Sequence, residues 1–170
     1  DDDPEGKICF DEMVKKAENN ENIYVCTFSK KDNNLNVNFL QRIAKVVAQL
    51  SEREGFGLTI AEALWKGTAV LCFDRGGMTE QVVDGYNGYV IKRDSPDYKE
   101  QIEHKLVKLL NFSNLERAEM GEYGKLVVAE KFTITSEAIH RMVLALAELD
   151  KIRKERVYPV GELAQEFIAK

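Results

Sequence analysis

The chain has 170 residues, a length that suits one compact domain or most of one. With 44% hydrophobic and 31% charged residues, its composition is that of an ordinary folded protein and excludes a disordered chain. The formal net charge is -5 and the 24 basic residues are scattered, so we expect no nucleic-acid partner. No apolar run approaches the roughly 18 residues of a transmembrane helix, and no membrane partner is expected either.

The cysteines and the first residues indicate the compartment. Cys9, Cys26 and Cys72 form an odd set without metal-ligand spacing. Cys26 and Cys72 lie in apolar, strand-like runs, where a free thiol is predicted to be a small buried side chain. This usage favours a reduced, cytoplasmic environment. The opening D-D-D-P does not resemble a signal peptide and is typical of an acidic loop, so we expect a piece of a longer protein.

In chain order, the first half alternates predicted helices with short apolar strands. The predicted helices are 10–18, 36–44, 59–66 and 78–83, and the predicted strands are 23–28, 45–50, 69–73 and 88–91. Alternation of this kind is typical of an α/β fold in which a parallel sheet is covered by helices on both faces. After Ser95 the pattern is helical only, with predicted helices at 101–110, 115–131, 136–156 and 161–170.

The loop S-E-R-E-G-F-G-L at 51–58 is the candidate binding site, because it joins a predicted strand to a predicted helix. In parallel sheets, ligands bind where strands end and such loops begin. Gly55 and Gly57 would let a ligand approach the backbone. The amides of Gly57, Leu58 and Thr59 would point out of the helix N-terminus, where they could bind phosphate.

Two carboxylates flank this anion site, Glu54 before it and Glu62 about one turn into the helix. Carboxylates beside phosphate are repulsive unless each accepts hydrogen bonds from neighbouring hydroxyls. A nucleotide-sugar has that layout, with sugar hydroxyls on one side of the diphosphate and ribose hydroxyls on the other. Solvated surface acids are the alternative reading of both glutamates.

The stretch E-G-F-G-L-T-I-A-E-A (54–63) resembles the signature of retaining glycosyltransferases with the GT-B fold. The continuation 66–91, with its Gly-Gly loop and D-G-x-x-G turn, and the early D-D-P-E-G (2–6) are similar as well. Within that group, the likeness is strongest to trehalose synthases of the glycosyltransferring type and nearly as strong to trehalose phosphorylases. The resemblance covers about residues 1–140 and implies a Rossmann-like sheet from the C-terminal half of the GT-B fold.

The resemblance also implies roles for individual residues. Glu54, the catalytic candidate, would bind hydroxyls of the donor glucose, and Glu62 would bind the ribose hydroxyls. The other implied donor-binding residues are Gly55, Phe56 and Gly57 around the sugar, the amides of Gly57, Leu58 and Thr59 at the diphosphate, and Cys26, Thr27 and Phe28 facing the base. On this reading a side chain at Gly57 would occupy the space of the phosphate.

The implied function is glucose transfer from a nucleoside-diphosphate glucose to a sugar acceptor, which would form trehalose. A phosphorylase using glucose 1-phosphate and a non-catalytic α/β binding module are the alternatives. Residues 1–134 would form part of the nucleotide-sugar-binding domain, and 135–170 would be helices that pack on it or extend toward an N-terminal domain. A homodimer is compatible with this reading.

Two parts of the family's machinery are expected to lie before Asp1: the Arg and Lys that neutralise the leaving diphosphate, and the acceptor-binding domain. We therefore expect this chain alone to be inactive. No cofactor is expected, and Asp1, Asp2 and Asp3 have no partners that would make them a metal site. Gly76 and Gly77 are either a tight turn or a ligand contact.

Overall fold

The computed structural model describes residues 4–28 and 31–155. The chain divides into two compact units, residues 1–40 and 41–170, and each is described here by itself. The predicted helix at 161–170 and the three N-terminal aspartates lie outside the described residues. The predicted division near residue 134 stays a prediction.

The first unit contains helix α1 (Pro4–Ala17) and the beginning of helix α2 (Asn33–Ile43), which ends in the second unit. The predicted strand at 23–28 is wrong, because this segment has no regular structure. An extended segment becomes a strand only when another strand pairs with its backbone. The described residues of this unit contain no strand that could do so. Cys26, predicted to be buried there, is exposed.

The second unit is built on a parallel sheet of three strands among the described residues, in the order β1 (Val46–Gln49), β2 (Ala69–Phe73) and β3 (Gly88–Ile91). Helix α3 (Leu58–Trp65) connects β1 to β2, and the short helix α4 (Met78–Gln81) connects β2 to β3. The register pairs Val46 with Ala69 and Val70 with Gly88. The predicted α/β class is therefore confirmed, with three of the four predicted strands.

Strand β2 lies in the centre, and all five of its residues are buried. Because successive side chains point to opposite faces, Val70 and Cys72 enter one core cluster while Ala69, Leu71 and Phe73 enter the other. Burying Val70 and Leu71 completely contributes about 1.5–3 kcal/mol each. This two-sided burial explains why the strand reads as an unbroken apolar run.

Buried apolar side chains determine which face of the sheet each helix covers. Ile60, Ala63 and Leu64 of α3 pack on one face of the sheet. Helix α5 (Tyr98–Leu110) covers the other face, with Leu109 buried there. Because the three strands are parallel, their carboxyl ends lie along one common edge of the sheet, and the loops that follow the strands begin there.

Two further helices, α6 (Asn114–Lys131) and α7 (Ile134–Glu155), complete the predicted all-helical segment. Ile139, Met142 and Leu146 of α7 are each more than half exposed. In the described part of the chain, no helix is both long enough and apolar enough to span a bilayer.

Candidate functional site

The predicted binding loop lies at the edge where the strands end. It follows Gln49, the last residue of β1, and leads into α3 at Leu58. The turn after β2, which contains Gly76 and Gly77, begins at the same edge because the two strands are parallel. The strand–loop–helix context predicted for the Gly-Phe-Gly stretch is confirmed.

Glu54 closes the loop on itself. Its Oε1 accepts hydrogen bonds from the amides of Gly55 (3.0 Å) and Gly57 (3.2 Å), and its Oε2 accepts one from the side-chain amide of Gln49. A carboxylate offers about four acceptor positions, so these bonds leave about one position for another donor. In this structure the Gly57 amide is therefore occupied by Glu54.

Gly57 caps the N-terminus of α3 in the left-handed conformation, with φ 88° and ψ 56°. A Cβ on Gly57 would lie 2.8 Å from Cγ of buried Met78 and 3.7 Å from Nε2 of Gln81. The missing side chain thus faces the protein interior, which differs from the expectation that it would occupy the space of a phosphate. The backbone conformation and the packing are sufficient reasons for glycine here.

Neither packing nor backbone conformation in the described part of the chain requires a glycine at position 55. A Cβ built on it would meet no atom within 4 Å. Its φ is also outside the positive range, which among the described residues is adopted by Gly57, Gly67, Gly76 and Gly85. Open space beside an unstrained glycine is what a close approach of a ligand would need.

Gly76 and Gly77 hold the loop from the side. A Cβ on Gly76 would lie 1.8 Å from the carbonyl oxygen of Glu54, and one on Gly77 would lie 2.9 Å from that of Gly55. The amide of Gly77 also donates to the Gly55 carbonyl, at 2.7 Å. The two glycines are thus explained by backbone contact with the neighbouring loop, a reading that the sequence did not suggest.

The N-terminus of α3 presents amides to this edge. Its first turn has no acidic residue. The structure gives the amides of Leu58 and Thr59 no acceptor among the described residues, as expected for the first positions of a helix. Unpaired amides at this end attract an anion, and the helix dipole adds to the attraction.

Glu62 lies one turn further along α3 and is exposed. Its Oε2 accepts a hydrogen bond of 3.1 Å from Nε2 of Gln41, a side chain only 4% exposed. Gln41 is itself fixed in position, because its backbone carbonyl accepts a 2.6 Å hydrogen bond from the hydroxyl of Thr68. The Glu62 carboxylate is therefore oriented by a buried neighbour while it remains open to solvent.

Two further contacts fix the rest of the loop. Nε2 of Gln81 donates to the carbonyl of Phe56. Arg93, which follows β3, forms a 2.7 Å ion pair with Glu52 and lies 4.3 Å from the centre of the Tyr98 ring. The pKa of Arg93 is raised, first by the hydrogen bond to Glu52. The loop is therefore anchored from β1, from α4 and from the segment after β3.

The remaining predicted positions lie elsewhere. Cys26, Thr27 and Phe28 belong to the first unit, and their role at a nucleotide base stays a prediction. Within the described residues no group of His, Cys, Asp and Glu side chains could hold a metal ion.

Comparison with known proteins identifies the chain. Residues 3–127 match the family described as glycosyl transferases group 1. The chain belongs to this family. The predicted resemblance to glycosyltransferases is thereby confirmed.

Relatives of this group 1 glycosyltransferase chain include trehalose synthase from Thermococcus litoralis, 39% identical over 134 residues, which are 79% of this chain and 31% of the relative. Trehalose phosphorylase from Grifola frondosa is 29% identical over 150 residues, covering 85% of this chain and 20% of the relative. The chain thus spans about a third of the length of the synthase and a fifth of that of the phosphorylase.

A solved structure supports the fold assignment. The C-terminal domain of the group 1 glycosyltransferase LpcC from Francisella tularensis has a TM-score of 0.61 and 29% identity, covering 78% of this chain and 65% of that domain. The predicted assignment to the C-terminal half of the GT-B fold is confirmed.

Sequence reasoning missed the three glutamines of this glycosyltransferase site, Gln41, Gln49 and Gln81. Each contacts the motif from a neighbouring element. A weak signal existed, since Gln49 ends the otherwise apolar run V-V-A-Q and Gln81 directly precedes two valines. A polar residue inside an apolar run indicates a buried hydrogen bond, but not its partner.

Proposed function

We propose that this chain is the donor-binding part of a retaining glucosyltransferase. The protein would transfer glucose from a nucleoside-diphosphate glucose to a sugar acceptor and would form trehalose. The trehalose synthases that the chain resembles support this choice of product.

One observation carries the proposal. The unpaired amides at the start of α3 follow Glu54 in the chain and precede Glu62 by about one helical turn, and a Cβ on the exposed Gly55 would meet no atom within 4 Å. Glu54 would accept a hydroxyl of the glucose at its remaining acceptor position. Glu62 would accept the ribose hydroxyls, and the amides of Leu58 and Thr59 would bind the diphosphate. The Gly57 amide instead holds Glu54 in place.

The same arrangement would assist bond cleavage. As the glycosidic bond breaks, positive charge develops on the sugar and negative charge on the departing diphosphate. Fixed amides at the N-terminus of α3 would stabilise that negative charge without reorganising. Glu54, ordered by two backbone amides and by Gln49, would keep the sugar in a defined orientation.

Phosphorolysis is the second candidate, supported by the similarity to trehalose phosphorylase over 85% of this chain. In the reverse, trehalose-forming direction of that reaction the donor is glucose 1-phosphate, which has no ribose. On that alternative Glu62 would contact no part of the donor, so Glu62 separates the two functions.

The test measures ligand binding by calorimetry, with UDP-glucose, ADP-glucose and glucose 1-phosphate as ligands of the 170-residue chain. We expect one nucleotide-sugar to bind and Gly55→Ala to weaken it by about tenfold or more, because the added methyl overpacks the approach to the loop. The melting temperature of the variant should match that of the wild type, since the methyl meets nothing in the protein.

Glu62→Gln completes the design. The loss of a charged acceptor should weaken the nucleotide-sugar by about tenfold or more. Binding of glucose 1-phosphate alone, unaffected by Glu62→Gln, would favour the phosphorylase. Failure of all three ligands to bind, or full affinity in Gly55→Ala, would contradict the proposed site.

A further inference from the structure

Three glutamines contact the binding loop or the helix α3 that follows it, and each does so through its Nε2 atom. Nε2 of Gln49 donates to Glu54, Nε2 of Gln41 donates to Glu62, and Nε2 of Gln81 donates to the carbonyl of Phe56. They come from three different elements, the end of β1, the last turn of α2 and the end of α4. The contacts therefore do not follow from one local turn.

The other end of each amide is unusual. The Oε1 atoms of Gln41, Gln49 and Gln81 are buried and have no hydrogen-bond partner among the described residues. Gln81 is fully buried and Gln41 is 4% exposed. An unpaired buried carbonyl oxygen is destabilising, and an apolar side chain of similar size would avoid that penalty. A purely structural requirement would favour leucine or methionine at such positions.

We propose that Gln49 and Gln41 are positioning residues for two different parts of the donor. Gln49 orients Glu54, which binds the sugar, and Gln41 orients Glu62, which binds the ribose. Glu54 and Glu62 each receive one side-chain amide hydrogen bond from a glutamine whose own Oε1 is buried. Gln41 occupies Oε2 of Glu62 and leaves its Oε1 open, while Gln49 orients Oε2 of Glu54, the oxygen that the Gly55 and Gly57 amides leave unused. Gln81 holds the loop backbone between them and acts on neither carboxylate.

This inference rests on the proposed function. In addition, it predicts that the variants differ in how strongly they weaken UDP and UDP-glucose. UDP contains the ribose but lacks the glucose, whereas UDP-glucose contains both. Gln49→Leu should therefore weaken UDP-glucose by about tenfold and leave UDP unchanged, because Glu54 loses the hydrogen bond that orients its Oε2 while the contacts at the ribose stay intact. Gln41→Leu should weaken both ligands by the same factor.

The experiment measures the two dissociation constants for the wild type and for Gln41→Leu, Gln49→Leu and the control Gln81→Leu, with ADP and ADP-glucose used if the wild type prefers adenine. The ratio of the two constants should change in Gln49→Leu and stay constant in Gln41→Leu and Gln81→Leu. Gln49→Glu adds a second check: the like charge beside Glu54 should abolish the preference for UDP-glucose over UDP.

Melting temperatures separate positioning from folding. Gln41→Leu and Gln49→Leu should melt no lower than the wild type, since each removes an unpaired buried oxygen together with the hydrogen bond. Equal affinities in wild type and variants, or an unchanged ratio in Gln49→Leu at any melting temperature, would overturn the inference. A wild type that binds neither ligand would overturn the proposed function and the inference with it.

Discussion

At the scale of single residues, burial separates the three thiols. Burial, followed by the nearby carboxylates of Asp74 and Asp84, raises the pKa of Cys72 to about 12. Cys72 is therefore a neutral thiol at any physiological pH, whereas Cys9 and Cys26 are exposed.

We expect a thiol reagent such as Ellman's reagent, applied at pH 8, to modify Cys9 and Cys26 rapidly in the folded chain. Cys72 should react only after denaturation, because the nucleophile is the thiolate and the native core excludes the reagent. Counting modified thiols against time checks this. Cys72→Ala is the control, since it should leave the fast phase unchanged. Three thiols reacting at one rate in the native chain would contradict the burial of Cys72.

Residue identity also shows what sequence reasoning can and cannot reach. The two glutamates around Gly-Phe-Gly were recognisable because their spacing fits a strand, a loop and a helix. The sequence could not show that a side chain at Gly57 would point into the protein, because this depends on where Met78 of α4 packs. Cys26 was misjudged for the same reason, since an apolar run is buried only when a partner covers it.

At the scale of elements, helices α3 and α6 approach closely through glycines. A Cβ on Gly121 of α6 would lie 2.3 Å from the carbonyl oxygen of Gly67, which follows α3. A Cβ on Gly124 would lie 3.0 Å from a methyl carbon of Leu64, which is a side chain and can move. The backbone contact at Gly121 is the stricter one.

Gly121→Ala should destabilise the chain by about 1–3 kcal/mol, because overpacking against backbone exceeds the roughly 1 kcal/mol that alanine gains over glycine within a helix. Gly124→Ala is the matched control and should cost less, since the Leu64 side chain can adjust. Urea denaturation of both variants measures the difference. A Gly121→Ala chain as stable as the wild type would show that the two helices are not held at this distance.

The start of α6 depends on pH. Ser113 caps the helix by accepting a hydrogen bond from the Glu116 amide, and the Glu116 carboxylate accepts from the amide and hydroxyl of Ser113. The hydrogen bond from the Ser113 side chain, followed by that from its backbone, lowers the pKa of Glu116 below its usual 4.5. A lowered pKa in the folded state stabilises the fold above pH 4.5, and this contribution disappears as the pH falls through the folded-state pKa.

Ser113→Ala should therefore lower the free energy of unfolding by about 1 kcal/mol at pH 7. At pH 3 the gap between wild type and variant should be smaller, because a protonated Glu116 no longer makes the charge-assisted bonds. Chemical denaturation at both pH values measures the gap. A gap that stays constant, or that grows on acidification, would mean that Glu116 does not take part in the cap.

At the scale of the whole molecule, features that depend on neighbouring residues could be predicted from the sequence, and features that depend on contacts between distant residues could not. Strands β2 and β3 were predicted with their observed bounds, since a short apolar run between turn residues is a local signal. The parallel arrangement followed from the alternation of elements. The segment 23–28 failed because strand pairing is a long-range property that no local pattern contains. Gln41 and Gln81 were missed for the same reason, as their partners Glu62 and Phe56 are more than 20 residues away in the sequence.

The close contact between the binding loop and the turn after β2 has a consequence for the construction of chimeric proteins. Because Gly76 and Gly77 leave no room beside the backbone of Glu54 and Gly55, neither loop can change its path alone. A chimera that imports the stretch 51–57 from a relative should also import 74–77, and a library that randomises one should randomise both. In an alignment, the two stretches would then change as one inherited block, although residues 58–73 separate them in the sequence.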